Sequence, residues 1–233
     1  MSKSFRQAFK ATIMIGGASA ISYLISAIQN KCAAVFLGPQ GIALLGIFRN
    51  FSDLIITVSG LGLNQSGVRV LSETGATDDQ EQVAKTTTVL QYLIFGTASL
   101  GAFITLFLAK WLIKWSSGRE LRLWEIILFA CLIFLMSMGV GLNIQFQGRR
   151  LVSEISKIKV LSVCTGILLV VPCYYFFRIN GVLLALLSLA LVNLLFSWFY
   201  FKKLKIKQTS VSLREFSQTA QKMISLGDAS CLG

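Results

Sequence analysis

Arg49 and Asp53 are ionisable side chains that stand well inside apolar sequence, four residues apart. On a helix that spacing puts them on one face, one turn from each other. An ion within a membrane-spanning segment is costly and normally faces a protein interior or a watery cavity. Two uses fit the spacing. The pair could neutralise itself and fix helix packing, or it could form a cavity site for an anionic group, with Arg49 as the contact and Asp53 as its tuner. A guanidinium suits phosphate because its planar fork of donors engages two oxygens at once. Lys31 ends the first apolar block, where it can snorkel to the interface or present a second cation to the same cavity. Asn30, Asn50, Asn64 and Gln65 add carboxamides around the same helix pair. Such groups can bond sugar hydroxyls or cap helices. Arg149 and Arg150 read either as topology determinants or as contacts for lipid headgroups or an anionic substrate on the cytoplasmic side.

Other chemistries lack their residues. The chain has no histidine, which removes the commonest general base and the commonest metal ligand. Cys32, Cys131, Cys164, Cys173 and Cys231 form no close CxxC pair, and they read as small apolar residues. No phosphate loop of the G-x-x-x-x-G-K-[ST] type occurs, and no carboxylates stand in a catalytic arrangement. No catalytic residue, metal or cofactor is expected, and the chain is not expected to be an enzyme.

The elements that must position these residues are apolar blocks of about 18–22 residues, the length that crosses roughly 30 Å of hydrocarbon. Of the 233 residues 55% are hydrophobic and only 14% charged, against roughly 25% charged in soluble domains. The net charge of +12 comes from bases lying between the blocks, where positive-inside retention explains them and nucleic acid is not an expected partner. About six spans are expected, over Ala11–Ile28, Gly41–Gly62, Thr88–Ala109, Trp124–Asn143, Val160–Phe177 and Val182–Phe201. Ala18-Ser19-Ala20 imitates a signal-peptide cleavage site, but the apolar run continues past it, so an uncleaved first span is expected. The connection Lys31–Gln40 carries Gly38-Pro39, a helix break. Polar loops are expected over Asn64–Lys85, Lys110–Arg122 and Gln147–Lys159, and a tight turn at Arg178–Gly181. Pro172 predicts a kink or end of the fifth span. Gly96, Gly101, Gly139 and Gly141 permit close helix approach.

These elements divide the chain into a cytoplasmic N-terminus (1–10), a six-span lobe (11–201) and a cytoplasmic tail with the truncated start of a second lobe (202–233). Most of the 22 Lys and Arg fall on the N-terminal side, which predicts that both ends are cytoplasmic.

The stretch from Lys31 through Gly38-Pro39-Gln40-Gly41 to Phe48-Arg49-Asn50 resembles the polysaccharide-transport family of flippases. These belong to the multidrug/oligosaccharidyl-lipid/polysaccharide exporter superfamily, and the O-antigen translocase and enterobacterial common antigen group is the nearest resemblance. The continuation Gly60-Leu-Gly-Leu-Asn-Gln-Ser-Gly67-Val-Arg69, then Ser72-Glu73, also fits, as do Gln147-Gly148-Arg149 and Asn180-Gly181. The resemblance covers about residues 8–205 and is most specific over Lys31–Glu73. It implies an all-α integral membrane fold, in which about six transmembrane helices form one lobe of a two-lobe, twelve-helix transporter. The implied substrate is an undecaprenyl-pyrophosphate-linked oligosaccharide moved across the bacterial inner membrane, with Arg49 and Lys31 at positions that face it. The implied partners are this lipid-linked oligosaccharide, membrane lipids, a second lobe or second copy, and polysaccharide polymerase machinery. Two alternatives remain: a cation or drug exporter of the same superfamily, which would favour acidic cavity residues, and an inactive truncated remnant. A membrane-integral glycosyltransferase or polymerase would need large acid-rich loops, and the longest loop expected here is about 20 residues.

Overall fold

The computed structural model describes residues 3–60, 62–76, 80–117 and 121–204. They form α1 (Lys3–Ser59), α2 (Leu63–Ala76), α3 (Gln80–Ser117), α4 (Leu123–Gly148), α5 (Val152–Phe177), a 3-10 turn (Arg178–Asn180) and α6 (Gly181–Lys203). No strand occurs among the described residues.

Four apolar helical stretches are long enough to cross a membrane: Gly16–Ser59, Glu81–Trp115, Leu123–Gly148 and Val152–Lys203. The first and last run 44 and 52 residues. At about 1.5 Å per residue each would be roughly 65–80 Å if straight, twice the hydrocarbon thickness. Both instead fold back. α1 breaks at Gly38, whose φ of 66° and ψ of −174° belong to a region open essentially only to glycine. Pro39 then restarts a helix without needing a partner for its missing N–H.

The side-chain contacts give the directions. Tyr23 lies under Lys159, and Phe36 meets Tyr175, so the first arm of α1 runs parallel to α5. Phe48 packs on Phe129 with ring centroids 5.1 Å apart, and Ser59 and Ile133 both crowd Gly101, so the second arm runs with α4. α4 runs with α6 through Phe146–Phe201. α5 and α6 are antiparallel, because Gly166 meets Leu189 while Gly181 meets Cys173. The two arms of α1 are therefore antiparallel, and α1 is a hairpin. Its arms, with α3, α4, α5 and α6, make six crossings.

The bundle's core joins Phe48 and Ile55 of α1 to Phe129, Leu132 and Ile133 of α4 and to Tyr174 and Val182. Its outer surface stays apolar: Trp115 is 82% and Val35 73% exposed, as lipid contact requires. Gly141 lets α3 close on α4, since a Cβ there would strike the Ile94 side chain.

Several connections are shorter than the sequence predicts. Lys31–Leu37 continues the first arm, because nothing before Gly38 opposes a helix there. The expected Asn64–Lys85 loop holds α2, which lays Gly67 and Leu71 on Ile144 and Gly148 of α4. Helix α3 continues through Lys110 and Lys114. Between α4 and α5 only three residues turn the chain, with Arg150 at φ 57°. Its N–H donates to the Gln147 carbonyl and that of Leu151 to the Phe146 carbonyl, at 2.9 and 3.0 Å. That is a helix stop usually built on glycine. Pro172 sits inside α5 without ending it, and the Arg178–Gly181 turn is a single 3-10 turn. Glu125, acidic at a span start, accepts the Arg122 N–H at 2.8 Å and caps α4. Beyond residue 204 the expected tail, Cys231 included, lies outside the described residues. Cys32, Cys131, Cys164 and Cys173 are free thiols.

Candidate functional site

The first arm of α1 carries Lys31 seven residues before the Gly38 turn, and the second carries Arg49 eleven residues after it. At about 1.5 Å per residue they lie some 10 and 16 Å below the turn, within the apolar length. Arg49 is half-buried, and Lys31, Asn50 and Asp53 are exposed. Among the described residues the ion pairs are Arg69–Glu73, Lys85–Glu81 and Lys157–Glu154. Among the described residues none makes a side-chain bond to Lys31, Arg49 or Asp53. Asp53 uses only its backbone carbonyl, which accepts the Thr57 hydroxyl at 2.7 Å. Along this arm Asn50, Asp53 and Thr57 fall on one exposed stripe, beside Arg49. On α5 the Tyr174 hydroxyl is fully buried and has no hydrogen-bond partner among the described residues.

A second polar feature lies in the opposite half of the bundle. A cavity of about 520 Å³ opens between α2, α4, α5 and α6. Its polar lining is Asn64, Gln65, Asn143, Gln147, Asn193 and Lys159, and no carboxylate joins them. Lys159 is exposed, its ammonium 5.6 Å from the Tyr23 ring. A smaller space of about 30 Å³ adjoins it, shared at Asn64, Val140 and Ile144 and lined further by Ser59, Thr97 and Ser137. Such a space holds about one water molecule, and the Ser137 hydroxyl in its wall is buried without a protein partner.

Two residues past Gln147, Arg149 is tied to α3: its Nη2 donates to the Thr87 hydroxyl at 2.7 Å. Burial lowers the pKa of this guanidinium, and its Nε has no partner.

The structure thus gathers Lys31, Arg49, Asn50 and Asp53 on the α1 hairpin but not Asn64. Asn64 lies past the break at Gly60–Gly62, about 22 Å further along the helical path from Arg49, and faces the cavity. Gln65 goes with it. Sequence reasoning did not single out Asn143, Asn193 or Lys159. The available signal was a carboxamide closing the fourth apolar block and another in the middle of the sixth, where a polar group is costly.

The two ends of the bundle differ in charge. Arg69, Lys85, Arg149, Arg150, Lys157, Lys159, Lys202 and Lys203 collect at the end where α2, the α4–α5 turn and the last residues of α6 meet. Lys202 and Lys203 stack on Trp198 and on Phe199 and Tyr200. Lys110, Lys114, Arg122 and Arg178 are at the other end.

No curated protein matches this chain. Its backbone is similar to that of a MOP superfamily transporter from Pyrococcus furiosus, with a TM-score of 0.70 and 19% identity. It is equally similar to a multidrug resistance MATE family transporter of the MOP superfamily in an outward-facing conformation, at 0.70 and 20%. Each match covers 96% of this chain and 52% of the other, so the chain spans about half the length of these transporters. Residues 8–227 match the family described as polysaccharide biosynthesis protein. The chain, a multi-pass helical membrane protein with the fold of one half of a MOP transporter, belongs to that polysaccharide biosynthesis family.

Proposed function

We propose that this chain is one lobe of a flippase that carries an undecaprenyl-pyrophosphate-linked oligosaccharide from the cytoplasmic to the periplasmic leaflet of a bacterial inner membrane. The observation that carries the reading is the uncompensated cationic hairpin: Lys31 and Arg49 lie within the apolar length of α1 with no carboxylate bonded to either. Family membership supports a glycan cargo. A pyrophosphate headgroup needs a cationic, hydrated path while its lipid tail stays in the bilayer, and unpaired intramembrane cations supply one. Arg49 is the principal contact for the pyrophosphate and Lys31 the second. Asp53 tunes Arg49, and Asn50 and Asn64 offer amides to sugar hydroxyls. A second lobe, from further chain or a second copy, closes the path, and the two lobes rock to alternate access. The N-terminus is cytoplasmic because the more basic end of the bundle is the one retained there. Lipid-linked units delivered outside would pass to polymerase machinery.

One observation favours a second reading. Asp53 is a span-embedded carboxylate without a partner, the group that a cation or drug exporter of the same superfamily needs. Chromosomal Arg49→Ala and Asp53→Asn alleles separate the two. The flippase reading expects Arg49→Ala to deplete surface glycan and trap lipid-linked units on the cytoplasmic side, with Arg49→Lys retaining part of the function. Unchanged surface glycan with Arg49→Ala, together with efflux of a cationic dye that Asp53→Asn abolishes, would establish the exporter instead.

A further inference from the structure

The cavity between α2, α4, α5 and α6 carries more hydrogen-bonding capacity than the protein uses. Asn143 spends one donor, its Nδ2 reaching the Gly139 carbonyl at 3.0 Å. The side chains of Asn64, Gln65, Gln147 and Asn193 make no hydrogen bond within the described residues. Each offers a carbonyl acceptor and two amide donors. Asn143 and Asn193 are half-buried and Asn64, Gln65 and Gln147 exposed, so these groups line an open space and are available to something that enters it.

The donor set identifies what that something is. No carboxylate faces the space, and the Lys159 ammonium on its wall repels positive charge, so the site disfavours a cation. Lys159 is its one charged side chain, too little for a bare polyanion. A carboxamide holds a donor and an acceptor side by side in one plane. Neighbouring hydroxyls of a sugar ring, each both donor and acceptor, match that pairing and can be bridged at two atoms. Aliphatic side chains, Val140, Ile144, Ile155 and Ile158, supply the apolar wall on which the C–H face of a sugar ring rests. The volume of about 520 Å³ falls within the roughly 300–1,000 Å³ typical of small-ligand sites.

We infer that this cavity is a carbohydrate-binding site within the lobe. Its carboxamides hold a sugar ring by its hydroxyls, and the exposed Lys159 meets a phosphate attached to that sugar. The inference deepens the flippase reading and rests on it for the ligand's presence at the membrane. The cavity lies in the half of the bundle near the more basic end, so it serves the side on which cargo is taken up. Arg49 and Lys31, in the other half, act later on the path.

The test is saturation-transfer NMR on the full chain in lipid nanodiscs, free of glycosidic detergent. The probes are N-acetylglucosamine and N-acetylglucosamine 1-phosphate, with tetramethylammonium as the cation control. At about 10 mM a millimolar Kd already gives high occupancy. Transfer to the sugar ring protons is expected, stronger for the phosphate, with none to tetramethylammonium. Asn193→Leu should weaken binding by about fivefold or more, the scale of one lost polar contact. Lys159→Met should erase the preference for the phosphate. Asn193→Ser gives the same reading if the leucine variant fails to elute as native protein. No transfer to either sugar, or equal transfer with the Asn193 variants, overturns the inference. Surface glycan in the host decides the parent reading separately. A gene deletion that leaves the glycan intact sinks the flippase but not the cavity. Normal glycan with Asn193→Leu and depleted glycan with Arg49→Ala sinks the cavity's role but not the flippase.

Discussion

One helical turn separates Arg49 from Asp53 on the second arm of α1, and the two side chains form no ion pair. Residues in contact couple by about 0.5–3 kcal/mol, whereas independent ones add to within about 0.5 kcal/mol. With no bond between them, Arg49→Ala and Asp53→Ala should couple by no more than about 1 kcal/mol, the through-space tuning of one charge by the other, in a double-mutant cycle on unfolding in nanodiscs. A coupling above about 1 kcal/mol would show that the pair closes in the membrane and that Arg49 is not available to a ligand.

Gly38 reverses α1 at φ 66° and ψ −174°. Nothing crowds its missing side chain, so a substitution there tests backbone conformation alone. Gly38→Ala should cost about 1–3 kcal/mol. Gly38→Asn should cost as much, because asparagine's tolerance is for the left-handed helical region and not for this one. Thermal unfolding in nanodiscs reads both. A neutral alanine variant would mean that α1 reverses elsewhere.

Arg150 offers the converse case. It holds φ 57° at the stop of α4, a position that glycine fills without steric cost. Arg150→Gly should raise stability by about 0.5–1 kcal/mol, less what glycine loses through a freer unfolded chain. Arg150→Ala removes the same charge but keeps the strain, and so separates the two effects. If both variants shift the melting temperature equally, the gain is electrostatic and the strain argument fails.

These positions also show what the sequence makes legible. The break at Gly38-Pro39 is local backbone chemistry, so its residues announce it. The number of crossings follows from apolar length alone. Helix α2 is hidden because its 14 residues are too few and too polar to read as a span. It becomes a helix by laying Gly67 and Leu71 on α4, a tertiary effect. Arg49 and Asp53 are legible as unusual types, but whether the two bond depends on side-chain placement, which their spacing alone does not fix. Asn193 is hidden for a different reason. Within a strongly apolar block one carboxamide barely alters the hydropathy, and its meaning appears only when α2 and α4 bring four more to it.

The close approach of α3 and α4 rests on Gly141, where an added Cβ would strike the Ile94 side chain. Membrane helices gain by such proximity, since lipid offers no hydrophobic drive to hold them together. Gly141→Ala should destabilise the bundle by about 1–3 kcal/mol through overpacking. Ile94→Ala added to it should restore part of the loss, although Ile94→Ala alone is itself costly because the residue is buried. Compensation of this kind is the signature of a steric clash. Simple addition of the two losses would place the cost of Gly141→Ala in the backbone instead.

The sidedness of the cavity depends on which end of the bundle is cytoplasmic, and charge makes that testable. The α4–α5 turn carries Arg149 and Arg150, with Lys157 and Lys159 just beyond, while the 3-10 turn at the other end carries Arg178 alone. On the proposed orientation, retention of Lys and Arg on the cytoplasmic side predicts the α4–α5 turn inside. An alkaline phosphatase fusion joined after Leu151 should be inactive, and one joined after Asn180 active, because phosphatase folds only in the periplasm. The reverse pattern would put the carboxamide cavity on the periplasmic side. It would then receive cargo after transport, and the order of contacts along the path, cavity first and Arg49 second, would be inverted. Equal activity from both fusions would mean that the α5–α6 hairpin does not cross the membrane, and neither order would hold.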